Sequence, residues 1–294
     1  HLGVRRQRQM CIRDSIGTNA VKAKVFNTSP SHIEFIESNR SAMRLGTDVF
    51  VDGKLSKKSI SKLIKILSEF IHQFKKKKIE HFDIVATSAF RDTKNSEETR
   101  RLVENEIEHP IRIISGLEEA KLIQLHPDFG NNDDGMYVDV GGGSTEFLLF
   151  KNNRLVIKSF QLGAVRNMLR KDKANEWNKL EQWLLTTPKK KNLVGIGGNI
   201  RSFLSSINAK TTAKNEFISA KDKLNKLTYE EKINTYGFSK DRADVIDYAL
   251  SIYEFILNRT DIKKIKATKW GVSDSAAVNL YQQIYSQNIK IKNN

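Results

Sequence analysis

Three consecutive glycines, Gly141-Gly142-Gly143, constrain this chain more than any other segment. Residues 136–140 form a short apolar run that carries Asp139 near its end, and Ser144-Thr145-Glu146 leads into a second apolar run. The pattern predicts two strands joined as a hairpin with a nearly bare backbone tip. Glycine reaches positive φ and lets a ligand come close to the chain. Successive N–H groups in such a tip form a nest for an anion. An aspartate just ahead of it suits a divalent metal bridging protein and phosphate. Ordinary turns also use glycine, so one loop does not decide between these readings. A second loop shifts the balance. Ile16-Gly17-Thr18-Asn19-Ala20-Val21 opens another apolar run with the same small, polar chemistry. Two loops about 120 residues apart imply a duplicated unit with a cleft between its halves.

The length of 294 residues suits two domains at ~150 residues each. No stretch approaches the ~20 apolar residues a membrane helix needs, and no apolar secretory core stands near the start. The single cysteine, Cys11, excludes an intrachain disulfide framework and fits a reduced, cytoplasmic compartment. The net charge of +16 calls for an anionic partner: nucleic acid, a membrane surface or polyphosphate. Lysine runs at 75–78 and 189–191 carry part of it, and either run alone reads more simply as a solvated helix end or loop. Residues 1–14 are polar and Arg-rich without strand or helix period, and are expected to stand apart from the fold as an extraneous segment.

Periodicity predicts strands at 21–26 and 33–38, a helix capped by Ser56 and running to 74, a strand at 82–86, a helix at 95–108, a strand at 111–114 and a helix at 116–125. A similar order follows: strands at 136–140, 146–150 and 155–160, helices at 164–170 and 175–185, and a strand at 193–196 running into Gly197-Gly198. Helices are expected at 200–207, 229–235, 242–257 and 273–285, with a strand at 264–268. Residues 208–226, polar and Lys-rich, read as a surface loop with a helical turn. Strands followed by alternating helices and strands occur twice, which is an α/β fold of two similar lobes.

Six segments then converge in order. They are 16–21, Ala86-Thr87-Ser88-Ala89-Phe90-Arg91-Asp92, Ile113-Ile114-Ser115-Gly116-Leu117-Glu118-Glu119-Ala120, 139–146, Leu162-Gly163-Ala164-Val165-Arg166 and Gly195-Ile196-Gly197-Gly198. With them the chain resembles the exopolyphosphatase and guanosine pentaphosphate phosphatase family over residues 16–285, in its short, two-domain form. The resemblance implies two actin-like, ribonuclease H-like lobes around an interdomain cleft, with domain I over 15–122 and domain II over 123–294. It also implies removal of the terminal phosphate from inorganic polyphosphate by Mg²⁺-assisted attack of water. The alternatives are a guanosine pentaphosphate 5′-phosphohydrolase and a non-catalytic polyphosphate- or nucleotide-binding sensor. Neither a membrane nor a nucleic acid is expected as partner, and a homodimer is allowed.

Glu119, in the first turn of its helix, is the general base that the resemblance implies; helix N-terminal acidity alone would explain Glu118 equally well. Asp139 is the candidate metal ligand. Glu146 is either close to the metal or a surface residue of its strand. Gly17, Thr18 and Asn19 from one loop, with Gly141, Gly142, Gly143, Ser144 and Thr145 from the other, would cradle phosphate. Arg91 would clamp it by forked hydrogen bonds, with Arg166 and Arg44 in similar roles. Two departures stand out. Ser15 occupies the position where the family has an aspartate, with Asp14 one residue early. Ser273 stands where the family usually has arginine. No His or Cys pair, His109 and His126 included, has metal-ligand spacing, so zinc is not expected. No Gly-x-x-x-x-Gly-Lys-Ser/Thr motif points to a P-loop enzyme.

Overall fold

The computed structural model describes residues 9–29, 32–79, 81–125, 129 and 134–292. Residues 1–8 and His126, on which two of the expectations fall, lie outside them. The first sheet contains β1 (Gln9–Ile16), β2 (Ala20–Ser29), β3 (His32–Ala42), β4 (His81–Ala86) and β5 (Ile111–Ile113), in the order β3-β2-β1-β4-β5. β1, β2 and β3 form an antiparallel meander, and β4 and β5 run parallel to β1. The second sheet contains β6 (Gly135–Val140), β7 (Thr145–Lys151), β8 (Arg154–Phe160), β9 (Asn192–Ile196), β10 (Thr211–Ala213) and β11 (Lys264–Ala267). Its order is β10-β11-β9-β6-β7-β8. Here β6, β7 and β8 are the antiparallel meander, and β9 and β11 continue parallel to β6. Read from the meander edge, the two sheets share one order, and the second adds β10 antiparallel at its far edge. The molecule is therefore an α/β protein of two like-wound lobes.

The helices are α1 (Leu45–Thr47), which continues into a π-helical turn at Asp48–Asp52, α2 (Lys57–Lys76), α3 (Ser88–Asp92), α4 (Ser96–Ile107), α5 (Gly116–Ile123), α6 (Ala164–Met168), α7 (Ala174–Leu185), α8 (Gly198–Ser206), α9 (Lys214–Asn225), α10 (Tyr229–Asn234), α11 (Lys240–Ala243), α12 (Ile246–Asn258) and α13 (Val272–Lys292). α2 shows how sequence builds one of them. Ser56 accepts a hydrogen bond from the Ser59 amide at its start. Leu63, Leu67, Phe70 and Phe74 recur at helical spacing and are buried. β6 is apolar on both faces because helices cover both: Met136, Tyr137, Val138 and Val140 are all buried.

Four expectations are corrected. Gln9–Asp14 does not stand outside the fold; it is part of β1, paired with β2 on one side and, from Cys11 onward, with β4 on the other. Its polar composition hides a strand that takes its place by backbone pairing. The stretch 208–226 is no loop but β10 followed by α9, with Phe217, Lys221 and Leu224 on the buried face. The helix expected at 242–257 is broken between α11 and α12. Finally, a boundary between residues 122 and 123 cuts α5. That helix packs on β7 and β8 of the second sheet, while α13 returns to pack on β1 and β2 of the first and on α5. Ala276, Ala277 and Tyr281 are its buried hydrophobic residues, with Asp274 and Ser275 buried beside them.

Candidate active site

The cleft lies between the lobes, where the parallel strands of both sheets end. On one side β1 gives way to Gly17, whose amide donates to the Ala20 carbonyl at 3.1 Å and closes the first loop. On the other, the β6–β7 hairpin turns at 141–144, with the Gly141 amide donating to the Ser144 carbonyl at 2.9 Å. The loops touch. A Cβ on Gly142 would come within 2.8 Å of the Thr18 side chain, so glycine is what lets the two loops pack this closely. Ser15, Gly17, Thr18, Asn19, Glu119, Asp139, Gly141, Gly142 and Ser144 all line the same cleft.

Glu119 comes from the first turn of α5. That helix starts with a capping box: Ser115 Oγ accepts from the Glu118 amide at 3.1 Å, and Glu118 accepts from the Ser115 amide at 2.7 Å. Glu118 is thereby spent on the cap, and its acidity is strengthened by those bonds. Glu119 instead faces the cleft. Arg91 holds it, donating from Nη1 to Glu119 Oε2 at 3.2 Å and to the Ile114 carbonyl at 2.7 Å. Arg91 Nη2 lies 3.4 Å from Ser144 Oγ. Arg91 thus orients the acid and the second loop, and does not line the cleft itself.

Asp139 and Glu146 are register partners across β6 and β7. Burial raises the proton affinity of both. For Asp139, Lys22 and Arg201 partly offset the rise. For Glu146 the nearby Glu119 adds to it, while Ser144 opposes. Ser159 Oγ donates to Glu146 Oε1 at 2.9 Å. Glu146 is only 2% exposed, which removes the surface-strand reading and sets it behind Glu119. No group of three or more His, Cys, Asp or Glu among the described residues could hold a metal ion. Carboxylates are the donors Mg²⁺ uses, with ligand oxygens and water completing the shell, and of the Asp139–Glu146 pair Asp139 lines the cleft.

Three residues expected on substrate, Arg166, Thr145 and Arg44, are engaged with other protein groups. Arg166 is buried; its Nε donates to the Gly143 carbonyl at 2.9 Å, its Nη2 pairs with Asp92, and its guanidinium lies 4.0 Å from the Phe50 ring centroid. It ties the second loop to the first lobe and does not reach the cleft. Thr145 is fully buried and donates its hydroxyl to the Leu162 carbonyl at 2.7 Å. Gly143 packs against Ser88 and Phe50. Thr18 Oγ1 lies 2.6 Å from Ser88 Oγ, and Asn19 Nδ2 donates to the Asp241 carbonyl at 2.8 Å. Arg44 bridges to Asp244.

Five cations missed at the sequence level also line the cleft: Lys22, Lys24, Arg40, Arg201 and Arg242. Burial among other cations lowers Lys22 to about 8 and Arg242 to about 10. A signal existed for two of them. In Val21-Lys22-Ala23-Lys24-Val25 the apolar residues alternate with lysine, so one face is core and the other is basic. Arg201 follows the Gly197-Gly198 turn on α8, whereas Arg40 and Arg242 carry no local pattern.

Comparison with known proteins agrees with this geometry. The sequence pattern of the Ppx/GppA phosphatase family matches residues 24–282. A Haemophilus influenzae protein provisionally named an exopolyphosphatase is 22% identical over 303 positions, spanning 94% of this chain and 92% of its own. A guanosine-5′-triphosphate,3′-diphosphate pyrophosphatase of Pseudoalteromonas translucida is 25% identical over 51% of this chain and 31% of its own length. The crystal structure of an exopolyphosphatase from Cytophaga hutchinsonii superposes with a TM-score of 0.78 at 18% identity, over 91% of this chain and 96% of that one. At such identity it speaks for the fold.

Proposed function

The chain belongs to the Ppx/GppA phosphatase family and is a phosphoric anhydride hydrolase, and on that premise we propose that it removes the terminal phosphate of inorganic polyphosphate. The observation that carries this reading is one cleft lined at once by both phosphate loops, two carboxylates and five cations. A chain of phosphates needs an extended basic wall, and Lys22, Arg201 and Arg242 supply it, with Lys24 and Arg40 alongside in ion pairs with Asp274 and Asp241.

In this reading the terminal phosphoryl group sits between the loops, with the backbone amides of Thr18, Asn19 and Gly142 and the hydroxyls of Thr18 and Ser144 oriented toward its oxygens. Glu119 accepts a proton from the attacking water, whose oxygen forms the new bond to phosphorus. The bridging P–O bond breaks on the opposite side and its electron pair leaves with the shortened chain. Arg91 keeps Glu119 aimed. Asp139, which lines the cleft, is the residue that would hold Mg²⁺, with the buried Glu146 beside it on the neighbouring strand; the ion, when bound, would neutralise charge on the phosphate oxygens.

Release of inorganic phosphate from polyphosphate and from guanosine pentaphosphate, measured side by side, tests the proposal. Preferential release from the polymer supports it. Preference for the nucleotide favours the second reading, a guanosine pentaphosphate 5′-phosphohydrolase, to which the Pseudoalteromonas relative's name points. Tight binding with no release from either would leave a binding protein, the role that Ser15 in the cleft would favour.

A further inference from the structure

Away from the reacting centre, bonds cross the cleft through one short segment. Residues 240–244, which are α11 and its C-cap, belong to the second lobe, and their two acids face the first. Arg40 of β3 forks onto Asp241, its Nη1 donating to Oδ1 at 2.9 Å. Asn19 of the first phosphate loop donates to the Asp241 carbonyl at 2.8 Å. Arg44 donates from Nη2 to Asp244 Oδ1 at 2.7 Å and to the Asp241 carbonyl at 3.1 Å, and from Nε to Asn19 Oδ1 at 3.1 Å. Its backbone sits at φ 41°, in the left-handed region that non-glycine residues seldom hold. Such a conformation persists where its surroundings over-determine it, and the bonds to Asn19, Asp241 and Asp244 do so.

The same segment also grips the second loop. Arg242, between the two acids in sequence, donates from Nη1 to Asn199 Oδ1 at 2.5 Å. Asn199 Nδ2 in turn donates to the Val140 carbonyl at 2.8 Å, one residue ahead of Gly141. Hydrogen bonds from Asn19 to Asp241 and from Arg242 through Asn199 to Val140, joined by the peptide link between Asp241 and Arg242, therefore connect one phosphate loop to the edge of the other. A single exposed ion pair is weak; here several converge on one segment from both lobes.

We propose that residues 240–244 are a strap that sets the spacing of the two phosphate loops, and that Arg44, Asp241 and Asp244 are positioning residues for the hydrolysis. This rests on the function proposed above, because a phosphoryl group held by both loops needs them at one separation. None of the three touches the reacting atoms; each acts through Asn19, Arg242 or the lobe contact.

The test is a charge-reversal cycle, Arg44→Glu, Asp244→Arg and both together, read in kcat and KM on polyphosphate. In parallel, pulsed electron resonance measures the distance between labels at the exposed positions Val51→Cys and Leu185→Cys in a Cys11→Ser background. Each single reversal is expected to lower kcat/KM about tenfold through both parameters and to broaden the interlobe distance. The double reversal should regain most of both. Asp244→Asn, which keeps the shape and removes the charge, gives the same reading if a reversal fails to fold. Single variants within twofold of wild type, a double with merely summed losses, or an unchanged distance distribution would each overturn the strap. Absence of phosphate release in the wild type would sink the hydrolytic reading instead, and the distance measurement would still decide the strap.

Discussion

Glu119 has little latitude: it is fixed by Arg91 on one side and opens onto the loops on the other. Glu119→Gln keeps the shape and cannot take a proton. Phosphate release is expected to fall by ~10²–10⁴-fold with polyphosphate binding largely kept, and near wild-type turnover would remove Glu119 from the chemistry. Ser15 lines the same cleft with a neutral hydroxyl, a poor magnesium ligand. Ser15→Asp should raise phosphate release and steepen its dependence on Mg²⁺; a flat comparison would place the metal with the second lobe alone. Lys22 makes a prediction in pH. Burial and neighbouring cations bring it to about 8 in the fold, against 10.5 for an ordinary lysine. The folded protein therefore releases this proton first. The cost of the buried charge is present in full below pH 8 and fades between 8 and 10.5, so stability rises with pH across that window. Anion binding moves the opposite way, weakening above pH 8 as the charge is lost. Denaturant titrations and phosphate binding for wild type and Lys22→Met, compared from pH 7 to 11, isolate this residue. Curves that run parallel would reject it.

At the scale of elements, the second loop depends on a glycine outside it. A Cβ on Gly163 would lie 2.5 Å from the Gly143 nitrogen and 2.6 Å from the Gly142 carbonyl carbon and oxygen. Those are backbone atoms and cannot swing aside. Gly163→Ala should cost about 1–3 kcal/mol of stability and distort the loop, so a calorimetric scan and a phosphate-release assay should both register it. An unchanged melting profile would show that the loop has slack. The elements themselves were legible where period and caps agreed, as in α2 with Ser56 ahead of a helical apolar stripe. The phosphate loops were legible because glycine spacing is local chemistry. The strand β1 was not, since its place rests on pairing with β2 and β4 and not on its own side-chain pattern. Arg166 and Thr145 misled for a related reason: sequence gives residue type near a loop, while only packing shows that Phe50, Asp92 and the Leu162 carbonyl claim them first. Arg40 and Arg242 reach the cleft from distant segments, and nothing local announces that.

For the molecule as a whole, the +16 charge predicts a steep salt response. Each lysine or arginine that meets a phosphate releases counterions, so polyphosphate affinity should fall linearly in log–log form as salt rises, and long chains should lose more than short ones. Filter binding across a salt series measures it. A flat line would mean that the charge is generic surface and would favour a compact nucleotide as substrate. Among the described residues no helix is long and apolar enough to cross a membrane.

The reciprocal docking of α5 on the second sheet and α13 on the first has a consequence for synthesis. When the ribosome has made α5, the strands it covers do not yet exist. When β1 and β2 have paired, the helix that closes over them is still about 240 residues away, on the order of 10–50 s at ordinary elongation rates. The first sheet therefore waits, with an apolar face bare, for a helix at the far end of the described chain, and α5 waits bare for the strands it will cover. A nascent chain of this design needs shelter on the ribosome for longer than either half would alone. Cut between the halves, it would yield two fragments that fold only by finding each other.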